Sequence, residues 1–396
     1  MSFYWLKEVL KTQHPQFVVL DTYMFYLYDM CEPLNTPEVA TRIAIDPMRW
    51  SLNKLRAVKA ICENDPKQSM ETFFFPLERY HGRWTELADE DFRFLEKERE
   101  YELKGYLPAK GTIDYELNFV DENSNAEPLY ILDIMREYLD EIVWLCGEND
   151  IQLILVKTPA VYENNGRYNG TMEYATSKGI PFLEMNTQNA IENMEFDFPN
   201  DMCSGGHANT NGATKITSYV GKYITDNYEY SCNSKNHMWE STKEYYQRIL
   251  WNEKLSDIED PDDYAECLTD KDLLIFMAVN SSIYDWHNDE FIKKLEAAFD
   301  LNFDMEFGYS YAVATSKDGV KIELNDGGAI ISGIIDYGHT DYHITSYGVN
   351  SGYEKCSILI DQNEYALNQK GLNIVVYDTV THTVIDSICY NGNIVR

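Results

Sequence analysis

The sequence predicts an α/β chain: a mostly parallel sheet with helices on both faces, followed by a smaller β-rich α+β domain. Three observations carry this reading. Short apolar runs of the buried-strand kind, Phe17-Val-Val-Leu20, Ile151-Gln-Leu-Ile-Leu-Val156 and Pro181-Phe-Leu-Glu-Met185, alternate with helical periods. A glycine-flexed loop, Asp201-Met-Cys-Ser-Gly-Gly-His207-Ala-Asn209-Thr-Asn-Gly212-Ala, leads straight into a helix-forming run. Beyond Asp272 the pattern changes to apolar runs separated by glycine-containing turns, the mark of a largely antiparallel sheet.

Taken in order, residues 2–13 read as an amphipathic helix stopped by His14-Pro15. The first ten residues lack a basic region and a small-residue cleavage site, so they read as part of a domain and not as a signal peptide. Asp21 stands at the carboxyl end of the first strand, where parallel sheets place polar functional groups. Residues 45–110 are rich in charge and aromatics, mostly helical and without buried-strand runs; extended to 127, they form a cap insertion over the sheet edge. Ile131, Ile134, Met135, Tyr138, Ile142 and Cys146 recur at helical spacing, with an end near Gly147. The second strand, 151–156, is followed by Lys157-Thr158-Pro159. A helix near 169–178 stops at Gly179, the third strand is 181–185, and a helix over 211–227 follows the histidine loop, closing a first domain at residue 231. Residues 232–269 form an acidic helical linker with Trp239, Tyr245, Tyr246 and Trp251. The second domain, 270–396, offers strands at 273–279, 329–331, 357–360 and 373–377 and a helix at 288–299. No internal repeat is present.

Composition narrows the function. The 396 residues, 44% of them hydrophobic and 14% aromatic, supply ample core for two folded units. Sixty-six acidic against 33 basic residues give a formal charge of −33, a field that repels phosphate backbones and anionic headgroups, so nucleic acid is excluded as a partner. The eight cysteines show no CxxC pair and no regular spacing, against a zinc ribbon or disulfide scaffold; buried thiols are expected, with isolated pairs left open. No run of 18 apolar residues occurs. His339 and His343 are spaced as HxxxH, but four residues on a strand span about 13 Å, too far for one ion. Asp121-Glu-Asn-Ser-Asn125 opens like a calcium loop, yet Ala126 and Leu132 stand where glycine and glutamate are required. No phosphate-cradling loop or dinucleotide fingerprint appears. No metal and no cofactor is expected.

In the histidine loop, Gly205 and Gly206 allow a sharp turn, and Asn209 and Asn211 are placed to cap the following helix. An imidazole held at the rim of such a sheet suits a general base, although a loop histidine is more often structural. The run Gly206-His-Ala-Asn-Thr-Asn-Gly-Ala-Thr-Lys215, with Tyr219-Val-Gly-Lys-Tyr223, resembles the last block of bacterial SGNH (GDSL-type) hydrolases, in particular the envelope group related to the D-alanine-transfer protein of teichoic acid modification. Trp5-Leu-Lys-Glu-Val-Leu10, Phe17-Val-Val-Leu-Asp21, Asp46-Pro-Met48, Tyr80-His-Gly-Arg-Trp84 and Leu155-Val-Lys-Thr-Pro159 extend the likeness upstream, over roughly residues 1–230.

The resemblance implies a three-layer, flavodoxin-like SGNH domain with no cofactor. It also implies a serine after the first strand, a histidine base and an aspartate three residues before that histidine. His207 matches the base. The serine block is missing, because residue 1 already lies past its place, and the position three before His207 is Ser204. Asp201, six before, is the candidate to orient the imidazole, while Ser204 shares too short a loop with His207 to be a favoured nucleophile. Loss of a central first strand should expose two strand edges. The expectation is a truncated product, or else a non-catalytic derivative with its edge closed otherwise. His81, Arg83 and Trp84 would offer a cation and a stacking ring to an acyl or sugar substrate, or pack at a helix start; Lys157, Thr158 and Asn209 complete the substrate-binding candidates.

In the second domain, Gly371-Leu-Asn-Ile-Val-Val-Tyr-Asp378 with Val384-Ile-Asp-Ser-Ile-Cys389 reads as a β-hairpin. These segments, with Tyr309-Ser-Tyr-Ala-Val313 and Ser346-Tyr-Gly-Val-Asn-Ser-Gly352, resemble interleukin-like EMT-inducer (ILEI-type) domains, some of which accompany glycan-modifying enzymes and bind carbohydrate. Tyr337, Tyr342 and Tyr347 are then candidates to stack on sugar rings, or to pack within the sheet. Together the resemblances imply an SGNH-type esterase or acyltransferase-like protein acting on cell-envelope polysaccharide or acylated glycan, extracytoplasmic, inactive without its serine block and touching membrane only through a missing N-terminal anchor. The alternatives are a non-catalytic carbohydrate-binding envelope protein and a structural partner that completes its sheet with another chain.

Overall fold

A computed structural model describes residues 1–26, 38–75, 102–231, 237–281, 288–303, 308–316, 319–325, 327–335 and 340–396. The fold is mixed α/β and divides into two units: residues 1–100 with 106–233, and residues 234–396 with 101–105.

The first unit is built on three parallel strands, β1 (Phe17–Asp21), β2 (Gln152–Lys157) and β3 (Phe182–Glu184), in the order β1-β2-β3. β2 shows why the sheet has helices on both sides. Leu153 and Leu155 point into a cluster with Phe3, Leu139, Ile142, Tyr174 and Ala175, contributed by α1 (Ser2–Val9), α5 (Asp133–Glu148) and α6 (Asn165–Lys178). Ile154 and Val156 point the other way, onto Met185, Ala190, Phe196, Phe198 and Met202, with Ile216, Tyr219 and Val220 of α9 (Thr210–Asn227) packed against them. The continuous apolar run Leu153–Val156 is what a strand covered on both faces carries. Helix ends follow local chemistry: Asn164 caps α6, Gly179 ends it in the left-handed region at φ +66°, and Asn209 caps α9.

β1 lies directly against β2 in continuous register, Phe17 opposite Gln152 through Asp21 opposite Val156. No gap separates them, in contrast to the pair of exposed edges expected around a missing central strand. Val19 on β1 is 43% exposed. The predicted cap region, 45–127, contains α3 (Leu52–Asn64) and α4 (Met70–Phe74); with α2 (Glu38–Ile45), which precedes it, they share a small core of Ile45, Met48, Ala57, Val58 and Phe73. Residues 106–132 carry no helix or strand and run as a strap held by backbone bonds to distant partners: Thr210 N–H to Ala109, Ile113 N–H to Pro199, Val120 N–H to Asn186 and Leu129 N–H to Gly166. Within it, Asp121 accepts from the Asn123 N–H and makes a turn of the calcium-like segment.

The second unit is a ten-stranded, curled sheet. Its spine is β6 (Leu273–Ser281), flanked by the hairpin β13 (Gly371–Asp378) and β14 (Thr383–Tyr390), which pair antiparallel as the sequence predicts. Along its other edge β6 pairs β7 (Ser310–Ser316) and then, over its last two residues, β10 (Thr340–Gly348) in parallel. Odd positions of β6 pack with α10 (His237–Ser256), α11 (Pro261–Cys267) and α12 (Glu290–Phe299), through Leu255, Tyr264, Phe291 and Leu295. Even positions pack on residues from β9 (Ala329–Ile335), β10 and β11 (Lys355–Ile360). The acidic helical stretch read as a linker therefore supplies Leu255, Tyr264, Ala265 and Leu268 to this unit's core.

Candidate functional site

The histidine loop forms a two-stranded hairpin, β4 (Met202–Ser204) and β5 (His207–Ala208), with Ser204 opposite His207. The exposed imidazole is anchored by its Nδ1, 2.7 Å from Ser204 Oγ. The two glycines of the turn are needed for close approach. A Cβ on Gly206 would stand 2.1 Å from the Tyr162 hydroxyl, and one on Gly205 2.8 Å from Val161. Gly205 also accepts a 2.9 Å bond from the Val161 N–H, which docks the hairpin on the loop after β2, at the carboxyl end of the sheet.

Asp201 does not reach the imidazole. Its buried carboxylate accepts from the Asp197 N–H and from Lys215 Nζ, both at 2.7 Å, and from Asn211 Nδ2. These bonds fix the turn into α9, and the orienting contact that the sequence assigned to Asp201 is made by Ser204. Asn209 is likewise occupied. Its Oδ1 accepts from the Gly212 N–H at 3.0 Å, while Nδ2 donates to the carbonyls of Gly111 at 2.8 Å and Asn200 at 2.7 Å. It caps α9 and clamps the strap, and leaves substrate contact to others.

Lys157 and Thr158 do sit at the rim, but turned into the protein. Lys157 is only 3% exposed and its Nζ donates to the Thr158 carbonyl at 2.8 Å. Thr158 donates from Oγ1 to Asp21 Oδ2 at 2.9 Å, and Asp21 Oδ1 accepts from the Tyr23 N–H at 2.6 Å. Asp21 thereby ties the ends of β1 and β2 together. His81, Arg83, Trp84 and Tyr337, as well as His339, lie outside the described residues.

Two buried carboxyls that sequence reasoning passed over lie beside Lys157. Glu184, at the end of β3, accepts from Asn186 N–H at 2.9 Å and Nδ2 at 2.5 Å through Oε1, while Oε2 has no partner. Burial, with the neighbouring Glu163 adding to it, pushes its pKa up to about 8, so at neutral pH Glu184 holds a proton. Burial also raises Glu163, opposed by Lys157 and Arg167. The rule that drew attention to Asp21 and Lys157, polar residues ending parallel strands, applies equally to Glu184 and was the available signal. Tyr162 links this cluster to the hairpin, meeting Tyr23 edge-on at 5.5 Å, with Lys157 and Arg167 each 5.7 Å from its ring centre.

In the second unit, Tyr342 is core, 4.9 Å from Phe276 and buried. Tyr347 lies over Gly328, where a Cβ would stand 2.8 Å from its ring, and meets the 70% exposed Tyr353 edge-on at 5.9 Å. His343 pairs across strands with Ser332, Nδ1 to Oγ 2.5 Å, on the sheet surface. Comparison with protein-family models, curated proteins and solved structures finds no match for the chain. Among the described residues no helix is long and apolar enough to cross a membrane.

Proposed function

We propose that the first unit is an SGNH-type scaffold for acyl-ester chemistry on cell-envelope glycans, in which His207 is the base and Ser204 sets its tautomer. The observation that carries this is the 2.7 Å contact between Ser204 Oγ and His207 Nδ1 on a hairpin docked at the carboxyl rim. With Nδ1–H donating to the serine oxygen, Nε2 is left as the acceptor on an exposed ring. It then takes the proton from a water or an acceptor hydroxyl as that oxygen attacks the ester carbonyl, and returns it to the departing alkoxide as the original acyl–oxygen bond breaks. Without an activated serine, the reading entails weak hydrolysis in place of full triad rates.

The test is turnover of an aryl acetate by the whole chain. Release of the phenol above buffer, lost in His207→Ala, supports the reading. Turnover that is absent, or that His207→Ala leaves unchanged, overturns it. A second reading, sugar binding by an ILEI-like second unit, is favoured by the exposed Tyr353 set edge-on against the half-buried Tyr347. A glycan array on the whole chain with Tyr353→Ala as control tests it: loss of array signal in the variant supports it, and a blank array removes it.

A further inference from the structure

Away from the rim, the first unit holds an open trough of about 830 Å³ between α1, α3 and α5, within the size range of small-ligand sites. Part of its lining is aromatic. Phe3, Tyr4 and Tyr138 form a mutual cluster with ring centres 5.2 to 6.1 Å apart, and Trp144, 57% exposed, lines the same trough. An indole left that open in a lined trough is not serving the core, since the neighbouring Ile142 and Cys146 of the same helix do that. Its lining carries both signs of charge, Arg56 and Lys7 together with Glu137 and Glu141, while the Asp140 carboxylate is taken by Lys178 and Tyr174. A single-sign wall would select an ion. Flat aromatic faces ringed by donors and acceptors of both kinds match a neutral polyhydroxylated chain, whose C–H faces stack on rings and whose hydroxyls bond to guanidinium and carboxylate alike.

We infer that this trough is a binding site for a neutral oligosaccharide, with Trp144 and Tyr138 as its stacking platform. The residues from Ile134 to Trp144 run along α5 for about 15 Å at the helical rise, so the site is elongated. Only three residues join α5 to β2, which makes the two antiparallel and brings the Ile134 end of the trough toward the carboxyl end of the sheet. A chain lying in the trough is thereby directed toward the rim that carries the His207 hairpin. That direction rests on the ester-processing reading; the binding itself does not.

The experiment is tryptophan fluorescence of the whole chain titrated with chitotetraose and with cellotetraose, and with polygalacturonate as an acidic control. A saturable change with a neutral oligosaccharide, weakened about tenfold in Trp144→Ala and retained in His207→Ala, is the expected result. The exposed position of Trp144 leaves the core intact in that variant, checked by an unchanged melting curve. No saturable change with either neutral probe, binding that Trp144→Ala leaves unaltered, or preference for polygalacturonate would overturn the inference. Failure of aryl acetate turnover with intact oligosaccharide binding would remove the ester reading alone.

Discussion

Glu184→Gln should stabilise the first unit in a pH-dependent way. The carboxyl is 8% exposed, one oxygen is bonded to Asn186 and the other has no partner, so the charged form is costly. Its folded pKa of about 8 stands above the ordinary 4.5. For a group raised in this way, the stabilising contribution is complete below pH 4.5 and is lost as pH climbs toward 8. Above 4.5 the unfolded chain releases the proton while the folded chain keeps it. At about 1.4 kcal/mol per pH unit, the loss reaches about 3 kcal/mol at pH 7 and about 5 kcal/mol by pH 8, an upper figure because Lys157 shares the site. Glutamine keeps the acceptor for Asn186 and removes the titration. Urea melts of parent and variant at pH 5, 7 and 8 should therefore nearly coincide at pH 5 and separate progressively, the variant being the more stable. A difference that is constant across the three pH values, or of the opposite sign at pH 8, would refute the reasoning.

Other perturbations read the hairpin and its supports. Ser204→Ala removes the Nδ1 anchor and should lower aryl acetate turnover several-fold while leaving the melting curve within about 0.5 kcal/mol, since the group is partly exposed. Asp201→Ala breaks a buried carboxylate with three donors and should cost about 3 kcal/mol in a urea melt. Below its melting point that variant should keep most of the His207-dependent rate, because no contact joins Asp201 to the ring. Gly206→Ala sets a methyl 2.1 Å from the Tyr162 hydroxyl, so the hairpin must shift; a loss of His207-dependent turnover larger than the loss of stability is the expected signature.

Where one element's own chemistry decides its conformation, the sequence was readable. Ile151-Gln-Leu-Ile-Leu-Val156 became β2, Asn209 capped its helix, Gly179 ended another, and the 371–378 and 384–389 runs paired as a hairpin. Residues 106–132 were illegible because, apart from the turn at Asp121–Ala126, they are held from a distance. Their bonds run to Pro199, Asn186 and Gly166, and a chain without periodicity gives no sign of distant carbonyls. The site was legible in its position but not in its wiring. His207 lies on a loop at the rim, yet Asp201 faces Lys215 because the β4–β5 hairpin folds back until the Asn209 N–H bonds the Asp201 carbonyl, which sets the carboxylate at the base of α9 while the ring stands at the hairpin tip opposite Ser204. Glu184 escaped notice because a lone glutamate in Phe-Leu-Glu-Met reads as surface until Asn186 and Glu163 are seen to enclose it.

The strap across the rim is fastened like a cover with separate pins: Asn209 to Gly111, Asn118 to the Val161 carbonyl, Val120 to Asn186 and Asp121 to Asn165. Apolar packing backs the pins: Ile113 and Leu117 of the strap sit against the cluster of Met185, Phe196 and Met202, and Val120 is buried. Releasing the strap from the carboxyl end of the sheet therefore undoes polar bonds and part of a core layer together, so access to that end is tied to the integrity of the packing on one face of β2.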